Sequence, residues 1–429
     1  MTRLARRTLS ASIILAMAAG LLLFAPAQAG ATAGPTSHGT APGPQRIDPS
    51  ELRGLLEQIV AAGAPGAAAL VADEHGVQQA GSGLANLRTH RPMRPGLTYR
   101  VGSLTKPFVA TVALQLVAEG KLSLSDTVER WLPGILPYGD QVTLRQLLNH
   151  TSGVPDYVIA PILELYGSWQ GRFRSWTPQE LVALVADQPP DFPPGTAWSY
   201  SNTGYILVGL IVEAATGHKL GKELTRRIFR PLGLRDTYFP VNRPDIPGRN
   251  ARGYSLPLSP QGEVLDGPLV DFTVYNPSLA WAAGALVTDL DDLARFFRVL
   301  LGGRLLPPRL LAKMLTTVTI EPGFGYGLGL MVIETPAGRL VGHGGSIPGF
   351  FNVVLSTEDG RRQFGVMVNA EFAPAPVYEA FDQVIAELGT RLLGGAAVGA
   401  TSANSSLGAA VRAGGLTRTR AGGAMQARR

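Results

Sequence analysis

The fold of this chain is decided near its C-terminal end, in residues 326–369, which read YGLGLMVIETPAGRLVGHGGSIPGFFNVVLSTEDGRRQFGVMVN. Four apolar segments, about 326–333, 339–345, 351–356 and 363–369, are separated by short stretches containing Pro, Gly or Asp, and they predict four strands. Linkers this short join antiparallel neighbours and exclude parallel crossovers. We therefore expect an antiparallel sheet here.

The start of the chain offers partners for this sheet. Asp48-Pro49-Ser50-Glu51 combines an N-cap, a proline at the first helical position and a capping-box glutamate, and so predicts a helix. Two strands, about 67–72 and 77–82, are expected next. A last amphipathic helix is expected from Val377 to Leu392. The first two strands would pair with the late strands, and the two helices would cover the resulting sheet.

The fold class is thus α/β of the α+β type, with an antiparallel sheet flanked by N- and C-terminal helices plus a mainly helical region. We place one domain at residues 47–393. Its sheet region is 47–102 together with about 285–393, and its helical region is about 103–284. Residues 30–46 form a linker rich in Pro, Gly and Thr.

The two ends of the chain carry its positive charge. Residues 1–29 hold three arginines, an apolar run and Ala27-Gln28-Ala29, the layout of a cleavable signal peptide, so we expect a secreted protein. Residues 394–429 hold five arginines and no acid, and we interpret them as a disordered tail. The formal charge of +6 therefore leaves −2 for residues 30–393. A near-neutral body argues against nucleic acid as a partner.

Several kinds of chemistry are excluded by the sequence. The absence of cysteine removes thiol catalysis and cysteine-ligated metals. No zinc-binding His-Glu-x-x-His motif or phosphate-binding loop occurs, and we expect no metal and no cofactor. The only approach to a nucleophile elbow has Pro348 at its last position, which disfavours that motif. Asp289, Asp291 and Asp292 are better interpreted as the start of a helix than as a cation site.

Ser103-Leu104-Thr105-Lys106 is a positive signal for catalysis. Residues three apart share a helix face, so the Ser103 hydroxyl would lie beside the Lys106 amine. A neutral lysine could take the hydroxyl proton and make the serine a nucleophile. The alternative is that Ser103 is simply the N-cap of a helix, because the motif by itself is weak.

Two further segments add polar groups. Tyr200-Ser201-Asn202 opens an apolar helix at about 204–216, and His343-Gly344-Gly345-Ser346 ends a predicted strand. Each is commonplace alone. Together with Ser103 and Lys106 they supply a phenol, an amide, an imidazole and a glycine-bared strand for close approach to a ligand.

The three motifs, in this order and at these separations, resemble the active-site set of the penicillin-recognising serine hydrolases. The likeness is greatest to D-alanyl-D-alanine carboxypeptidases and class C β-lactamases, and it covers about residues 47–393. It includes, among other segments, Leu147-Leu148-Asn149-His150-Thr151-Ser152-Gly153 and Gly325-Tyr326-Gly327-Leu328-Gly329.

The resemblance implies a β-lactamase/transpeptidase-like fold and a role for each motif residue. Ser103 would form an acyl-enzyme, Lys106 and Tyr200 would share its proton, and Asn202 would hydrogen-bond Lys106 and the substrate. His343 would complete the hydrogen-bond path near Tyr200.

The strand after His343 would bind the substrate through Gly344, Gly345 and Ser346, with the backbone N–H groups of Ser103 and Ser346 as oxyanion hole. If its pKa is unperturbed, His343 would cause a loss of activity at about pH 6–7.

Two departures from the related carboxypeptidases concern the substrate. A threonine follows the histidine there and a basic residue follows the Tyr-Gly-Leu-Gly-Leu segment, but here these positions hold Gly344 and Met331. Both parts of a carboxylate clamp are missing, unless Arg339 or another arginine substitutes.

We expect a monomeric, secreted D-alanyl-D-alanine carboxypeptidase-type D,D-peptidase acting on small cell-wall peptides, without a membrane span after signal removal. An esterase, a D-aminopeptidase, a β-lactamase, or a non-catalytic penicillin-binding sensor remain alternatives.

Overall fold

A computed structural model describes residues 47–394. The predicted signal peptide, the linker and the tail beyond Gly394 lie outside the described residues. The strands in chain order are β1 (Gly66–Asp73), β2 (Gly76–Asn86), β3 (Arg91–Pro92), β4 (Tyr99–Arg100), β5 (Tyr254–Ser255), β6 (Val270–Asp271), β7 (Val287–Thr288), β8 (Val318–Glu321), β9 (Phe324–Tyr326), β10 (Met331–Thr335), β11 (Gly338–Ile347), β12 (Phe350–Thr357), β13 (Gln363–Val368) and β14 (Ala370–Glu371).

The α-helices are α1 (Pro49–Ala61), α2 (Thr105–Ala118), α3 (Val128–Trp131), α4 (Leu144–Leu148), α5 (Ile159–Gly167), α6 (Trp169–Phe173), α7 (Pro178–Ala183), α8 (Asn202–Thr216), α9 (Leu220–Leu224), α10 (Arg230–Leu232), α11 (Trp281–Gly284), α12 (Leu290–Leu301), α13 (Pro308–Leu315) and α14 (Ala375–Leu393). Short 3-10 turns occupy Gly102–Leu104 and Pro277–Leu279, and a π turn occupies Thr225–Phe229.

Within residues 47–394, nine strands form one antiparallel sheet in the order β3-β2-β1-β13-β12-β11-β10-β9-β8. The first hairpin joins the late strands through β1 and β13, where Ala67 lies opposite Val368. The expected antiparallel sheet and its long-range closure are therefore confirmed.

One predicted strand is wrong as a single element. The segment 326–333 is divided between β9 and β10, with residues 327–330 forming a tight turn in which the Gly327 N–H donates to the Leu330 carbonyl. Gly329 has a φ of +89°, a conformation that glycine adopts without strain. The strand break places Tyr326 directly opposite Met331.

Side chains alternate between the two faces of the sheet along each strand. Both faces are buried, each by a different set of helices. On one face Val353, Leu355 and Phe364 pack in the same core as Leu56 of α1 and Phe381 of α14. The other face packs in the core of the helical region, where three strands and three helices contribute Leu70, Val354, Met367, Leu290, Leu293, Phe108 and Ile206. The terminal helices and the helical region thus cover opposite faces.

The helix starts follow the sequence signals. Asp48 caps α1 in a capping box with Glu51, as predicted. Asp289 caps α12 by accepting from the Asp292 N–H at 2.9 Å, so the capping interpretation of the acidic cluster is confirmed. Gly217 ends α8 in the left-handed conformation.

Candidate active site

Ser103 lies in the 3-10 turn between β4 and α2. Gly102 before it has a φ of +54°, and a Cβ there would lie 2.5 Å from the Ser346 carbonyl oxygen. Only glycine therefore allows this turn to pack against β11. Ser103 is the N-cap neither of the turn, where Val101 takes that position, nor of α2, where Leu104 does. The helix-cap interpretation of Ser103 is wrong, since the residue lies inside the turn.

Lys106 is completely buried one turn after Ser103. Its Nζ lies 3.0 Å from Ser103 Oγ and donates to Asn202 Oδ1 at 2.8 Å and to the Ala283 carbonyl at 2.8 Å. Burial lowers the pKa of Lys106 to about 7, partly opposed by the charge of Asp156. A neutral amine keeps two N–H groups and one lone pair. Because the Asn202 and Ala283 oxygens can only accept, the lone pair is left for the Ser103 hydroxyl.

Asn202 is the first residue of α8 and connects the lysine to a carboxyl group. Its Nδ2 donates to Asp156 Oδ2 at 2.9 Å, which fixes the amide so that Oδ1 faces Lys106. Burial raises the pKa of Asp156, while bonds from Val158 N–H and Asn202 oppose the rise. The sequence analysis missed Asp156, which precedes Tyr157 in a loop without regular pattern.

Tyr200 completes the group around the lysine. Its ring centroid lies 4.8 Å from Lys106 Nζ. Burial raises the pKa of Tyr200 well above its usual value, and the hydroxyl of Ser103 opposes this rise. Ser103, Lys106, Tyr200 and Asn202 therefore meet at one place, although up to 99 residues separate them in the chain.

His343 lies in β11, but its hydrogen bonds do not reach Tyr200. Its Nε2 bonds with the Tyr326 hydroxyl at 2.8 Å and its Nδ1 with the Gly344 carbonyl. Since a carbonyl only accepts, Nδ1 carries the proton and Nε2 accepts from Tyr326. Tyr326 was missed as a site residue, and its ring stands between His343 and Tyr200, 6.4 Å from the latter.

The expected titration of His343 at pH 6–7 also needs correction. Burial, with the nearby charge of Lys106, lowers the pKa of His343 to about 3. The imidazole is therefore neutral across the physiological range, because a cation at this fully buried position would be poorly solvated.

His150 is a second imidazole at the site, and sequence reasoning gave it no role. It lies in the quoted segment 147–153, has a φ of +63° and packs on the Tyr200 ring at 4.2 Å between centroids. Its Nδ1 accepts from the Ser201 N–H at 3.2 Å. Burial keeps the pKa of His150 well below its usual value. This neutral ring holds Tyr200 in place by packing.

The strand β11 lies along the turn that carries Ser103. A Cβ at Gly345 would lie 1.9 Å from the Val101 carbonyl oxygen, so no other residue fits. The Gly345 carbonyl is held by Asn352 Nδ2 at 3.0 Å. Ser346 then reaches the same cleft as Ser103.

This cleft has apolar walls and a polar base. Its described lining residues are Ser103, Tyr157, Val158, Ile162, Asn202, Leu279, Ala280, Ala283, Gly284, Ser346, Ile347, Pro348, Glu371 and Phe372. Among these, none is basic and Glu371 is the one acid. Glu371 was missed because nothing in its local sequence distinguishes it.

No part of the cleft lining replaces the missing carboxylate clamp. Met331 is buried in the core between the sheet and the terminal helices. Arg339 pairs with the exposed Glu358 at 2.8 Å and is not among the described residues that line the cleft. The suggestion that Arg339 substitutes for the clamp is wrong, because its charge is used at the surface.

Known proteins are similar to this chain in sequence and architecture. The model of the family described as "Beta-lactamase" matches residues 52–387. The solved structure of a D-stereospecific amidohydrolase from Streptomyces sp. is similar, with 39% sequence identity and a TM-score of 0.71, covering 78% of this chain and 98% of that one.

Two curated relatives carry different names. Penicillin-binding protein 4* of Bacillus subtilis (strain 168) is 30% identical over 67% of this chain, which spans 64% of the relative's length. Esterase EstB of Burkholderia gladioli is 32% identical over 63% of this chain and 76% of its own.

Proposed function

Because the chain belongs to the beta-lactamase family of serine hydrolases, we propose that it hydrolyses small amides and esters through an acyl-enzyme on Ser103. The observation that carries this proposal is the contact of Ser103 Oγ with Lys106 Nζ, at the base of a cleft whose described lining holds no cation. The amidohydrolase and esterase names of two relatives support the same substrate class.

In the acylation step, Ser103 Oγ would attack the substrate carbonyl carbon while its proton passes to neutral Lys106. A pKa of about 7 lies roughly three units below the usual value for lysine, so the fold contributes about 4 kcal/mol toward the neutral amine. Asn202 Oδ1 and the Ala283 carbonyl would hold the two remaining N–H groups. The backbone N–H groups of Ser103 and Ser346 would stabilise the oxyanion, by about 3–4 kcal/mol each.

Collapse of the tetrahedral intermediate to the acyl-enzyme requires a proton on the leaving group, and in the second half of the reaction water must attack the acyl carbon. Tyr200 lies beside Lys106, and its raised pKa keeps the phenol protonated and able to donate. Lys106 would return its proton to Tyr200 and, neutral again, would accept a proton from the hydrolytic water. That proton would return to Ser103 Oγ when the acyl group leaves. His343 would act only through Tyr326, as a neutral acceptor that orients this ring.

A D-alanyl-D-alanine carboxypeptidase is the second candidate, supported by the penicillin-binding-protein relative. Such a substrate ends in a carboxylate, for which the described cleft lining offers no basic partner. We therefore rank it below the amidohydrolase and esterase reactions. The same lack would weaken β-lactam binding.

The test incubates the full chain with three substrates: D-phenylalaninamide, p-nitrophenyl butyrate and diacetyl-Lys-D-Ala-D-Ala. Release of ammonia or nitrophenolate at a rate well above that of D-alanine is expected. Faster release of D-alanine would restore the carboxypeptidase. A fluorescent penicillin that labels Ser103 permanently, with turnover of none of the three, would instead indicate a non-catalytic sensor.

We also propose that the protein is exported, on the basis of the charged and apolar layout of residues 1–29, and that it is monomeric. In the part of the chain that the structure describes, no helix has both the length and the apolar character needed to cross a membrane. Mass spectrometry of the protein recovered outside the cells, with cleavage after Ala29, is the expected result. Light scattering tests the monomer.

A further inference from the structure

One wall of the cleft carries a buried carboxyl group that the proposed mechanism does not use. Glu371 is the last residue of β14, which pairs with β5, and only 6% of it is exposed. Its Oε1 accepts from Ser346 Oγ at 2.5 Å. Its Oε2 is buried and has no hydrogen-bond partner among the described residues. A buried acceptor without a partner is costly and indicates a missing donor.

The described lining of the cleft places no positive charge beside the carboxyl group of Glu371. Burial raises the pKa of Glu371 to about 8, and the Ser346 hydroxyl only partly opposes this rise. The titratable groups that face it are the phenols of Tyr166, Tyr275 and Tyr378, whose own pKa values are raised, so they stay neutral. Lys106 and Asp156 bond with Asn202 instead and are not part of the cleft lining.

The backbone next to Glu371 is strained, and this strain allows two consecutive side chains to line the cleft. Phe372 has a φ of +49°, which is unfavourable for a bulky residue. Glu371 and Phe372 are consecutive, yet both line the cleft. In an extended strand their side chains would point to opposite sides. The strain thus accompanies the placement of the carboxyl group at the cleft.

We propose that Glu371 binds the free α-ammonium group of the substrate, so that the enzyme selects amides and esters of amino acids whose amino group is unblocked. This inference rests on the proposed function. In an amino acid the α-nitrogen lies about 2.5 Å from the carbonyl carbon, the atom that Ser103 would attack. The same Ser346 that would hold the carbonyl oxygen through its N–H holds Glu371 through its hydroxyl. An ammonium group would supply the missing donor, and its positive charge would favour release of the proton that Glu371 holds in the free protein.

The same carboxyl group would act against other substrates. An N-acylated substrate brings no positive charge to offset the burial of ionised Glu371. A substrate carboxylate would find no positive partner, since the described cleft lining contains no cation, and it would oppose the ionisation of Glu371. Glu371 is therefore a specificity-determining residue rather than part of the proton path.

The test compares D-phenylalanine p-nitroanilide with its N-acetyl form on the full-length protein. We expect the kcat/KM of the free amine to exceed that of the N-acetyl form at least tenfold. In Glu371→Gln this ratio should fall at least tenfold, mainly through a higher KM for the free amine. The matched control Glu358→Gln, at an exposed glutamate that pairs with Arg339, should keep the wild-type ratio.

A second measurement does not depend on turnover. Calorimetry should detect binding of benzylamine, but not of benzoate, to the wild-type protein. Benzylamine should bind more weakly to Glu371→Gln, whose circular dichroism spectrum should match that of the wild type. A wild-type ratio near one, an unchanged ratio in Glu371→Gln, or no benzylamine binding overturns the inference. If p-nitrophenyl butyrate is still hydrolysed, the proposed function survives this failure, whereas absence of any acylation of Ser103 defeats the proposed function itself.

Discussion

Lys106 at the base of the cleft and Glu371 on its wall are both buried ionisable groups, but their environments differ. Burial brings the pKa of each close to neutrality, about 7 for the lysine and about 8 for the glutamate. Lys106 has three hydrogen-bond partners, whereas one oxygen of Glu371 has none among the described residues. Lys106 is therefore fully hydrogen-bonded in the free protein, whereas Glu371 would gain its missing partner from a ligand.

This difference separates two tasks. A proton-transfer group needs fixed geometry before the substrate arrives, because the reacting atoms must already be placed. A recognition group can leave a bond unmade, because the correct substrate then gains what an incorrect one cannot. Four predictions test this division, from the largest effect to the smallest.

Replacement of the nucleophile should have the largest effect. In Ser103→Ala, no acyl-enzyme can form, and kcat/KM for p-nitrophenyl butyrate should fall about 10⁴-fold or more. Intact-protein mass spectrometry should find no acyl adduct. The exposed Ser125→Ala is the matched control and should behave as wild type. An adduct on Ser103→Ala would place the nucleophile elsewhere.

Changing the base while keeping its charge should be nearly as damaging. A guanidinium group does not lose its proton in proteins, so Lys106→Arg retains a cation but lacks the lone pair that accepts the Ser103 proton. We expect kcat/KM to fall about 10³-fold, within the range for loss of a general base. Lys222→Arg, at an exposed lysine, is the control. Substantial activity in Lys106→Arg would contradict the proposed role of the neutral amine.

The pH profile should report Lys106 and not His343. With a pKa of about 7, Lys106 becomes protonated as pH falls, and kcat/KM for the uncharged ester should decrease tenfold per unit below pH 7. Above pH 7 it should reach a plateau. Because the pKa of His343 is about 3, His343→Gln should show the same decrease in kcat/KM below pH 7, with a lower maximal kcat/KM. If the decrease in kcat/KM below pH 7 is absent in His343→Gln, the titrating group is the imidazole and not Lys106.

The smallest effect concerns stability. The pKa of Glu371 is about 8 in the fold and about 4.3 when unfolded, so the folded state binds the extra proton between these values. Its contribution to the free energy of unfolding is therefore complete below about pH 4.3 and is lost progressively up to pH 8. Glu371→Gln has no such loss, so its Tm should exceed that of wild type by a few °C at pH 8 and by less at pH 5. An equal difference at both pH values would mean that the carboxyl group is not buried as described.

The sequence allowed the base of the cleft to be predicted better than its wall. Ser103 and Lys106 share a helical turn, so their spacing already implies contact. Glu371 reaches the cleft through the pairing of β14 with β5 and the unusual backbone of Phe372, neither of which has a local signature. Its role depends on contacts between residues far apart in the chain.

The same reason explains the other differences. The sheet was predictable because alternating apolar segments and short turns are local signals, but the break at residues 327–330 depends on one glycine conformation and one backbone bond. His343 was placed correctly on a strand, although β11 continues past it to Ile347, and its partner Tyr326 comes from β9, two strands away in the sheet. His150 sits in a segment that the resemblance included, but its packing against Tyr200 is a tertiary contact.

The pairing of β1 with β13 sets the order in which this protein can fold. Residue 67 pairs with residue 368, so about 300 further residues must leave the ribosome before the central pair of strands can form. Until then the sheet remains open at β1, and the two terminal helices have no common surface to cover. During synthesis the central strand pair can therefore form only after most of the chain has been made. Because the turn that carries Ser103 packs against Ser346 of β11, the candidate active site also stays incomplete until residue 346 has been made.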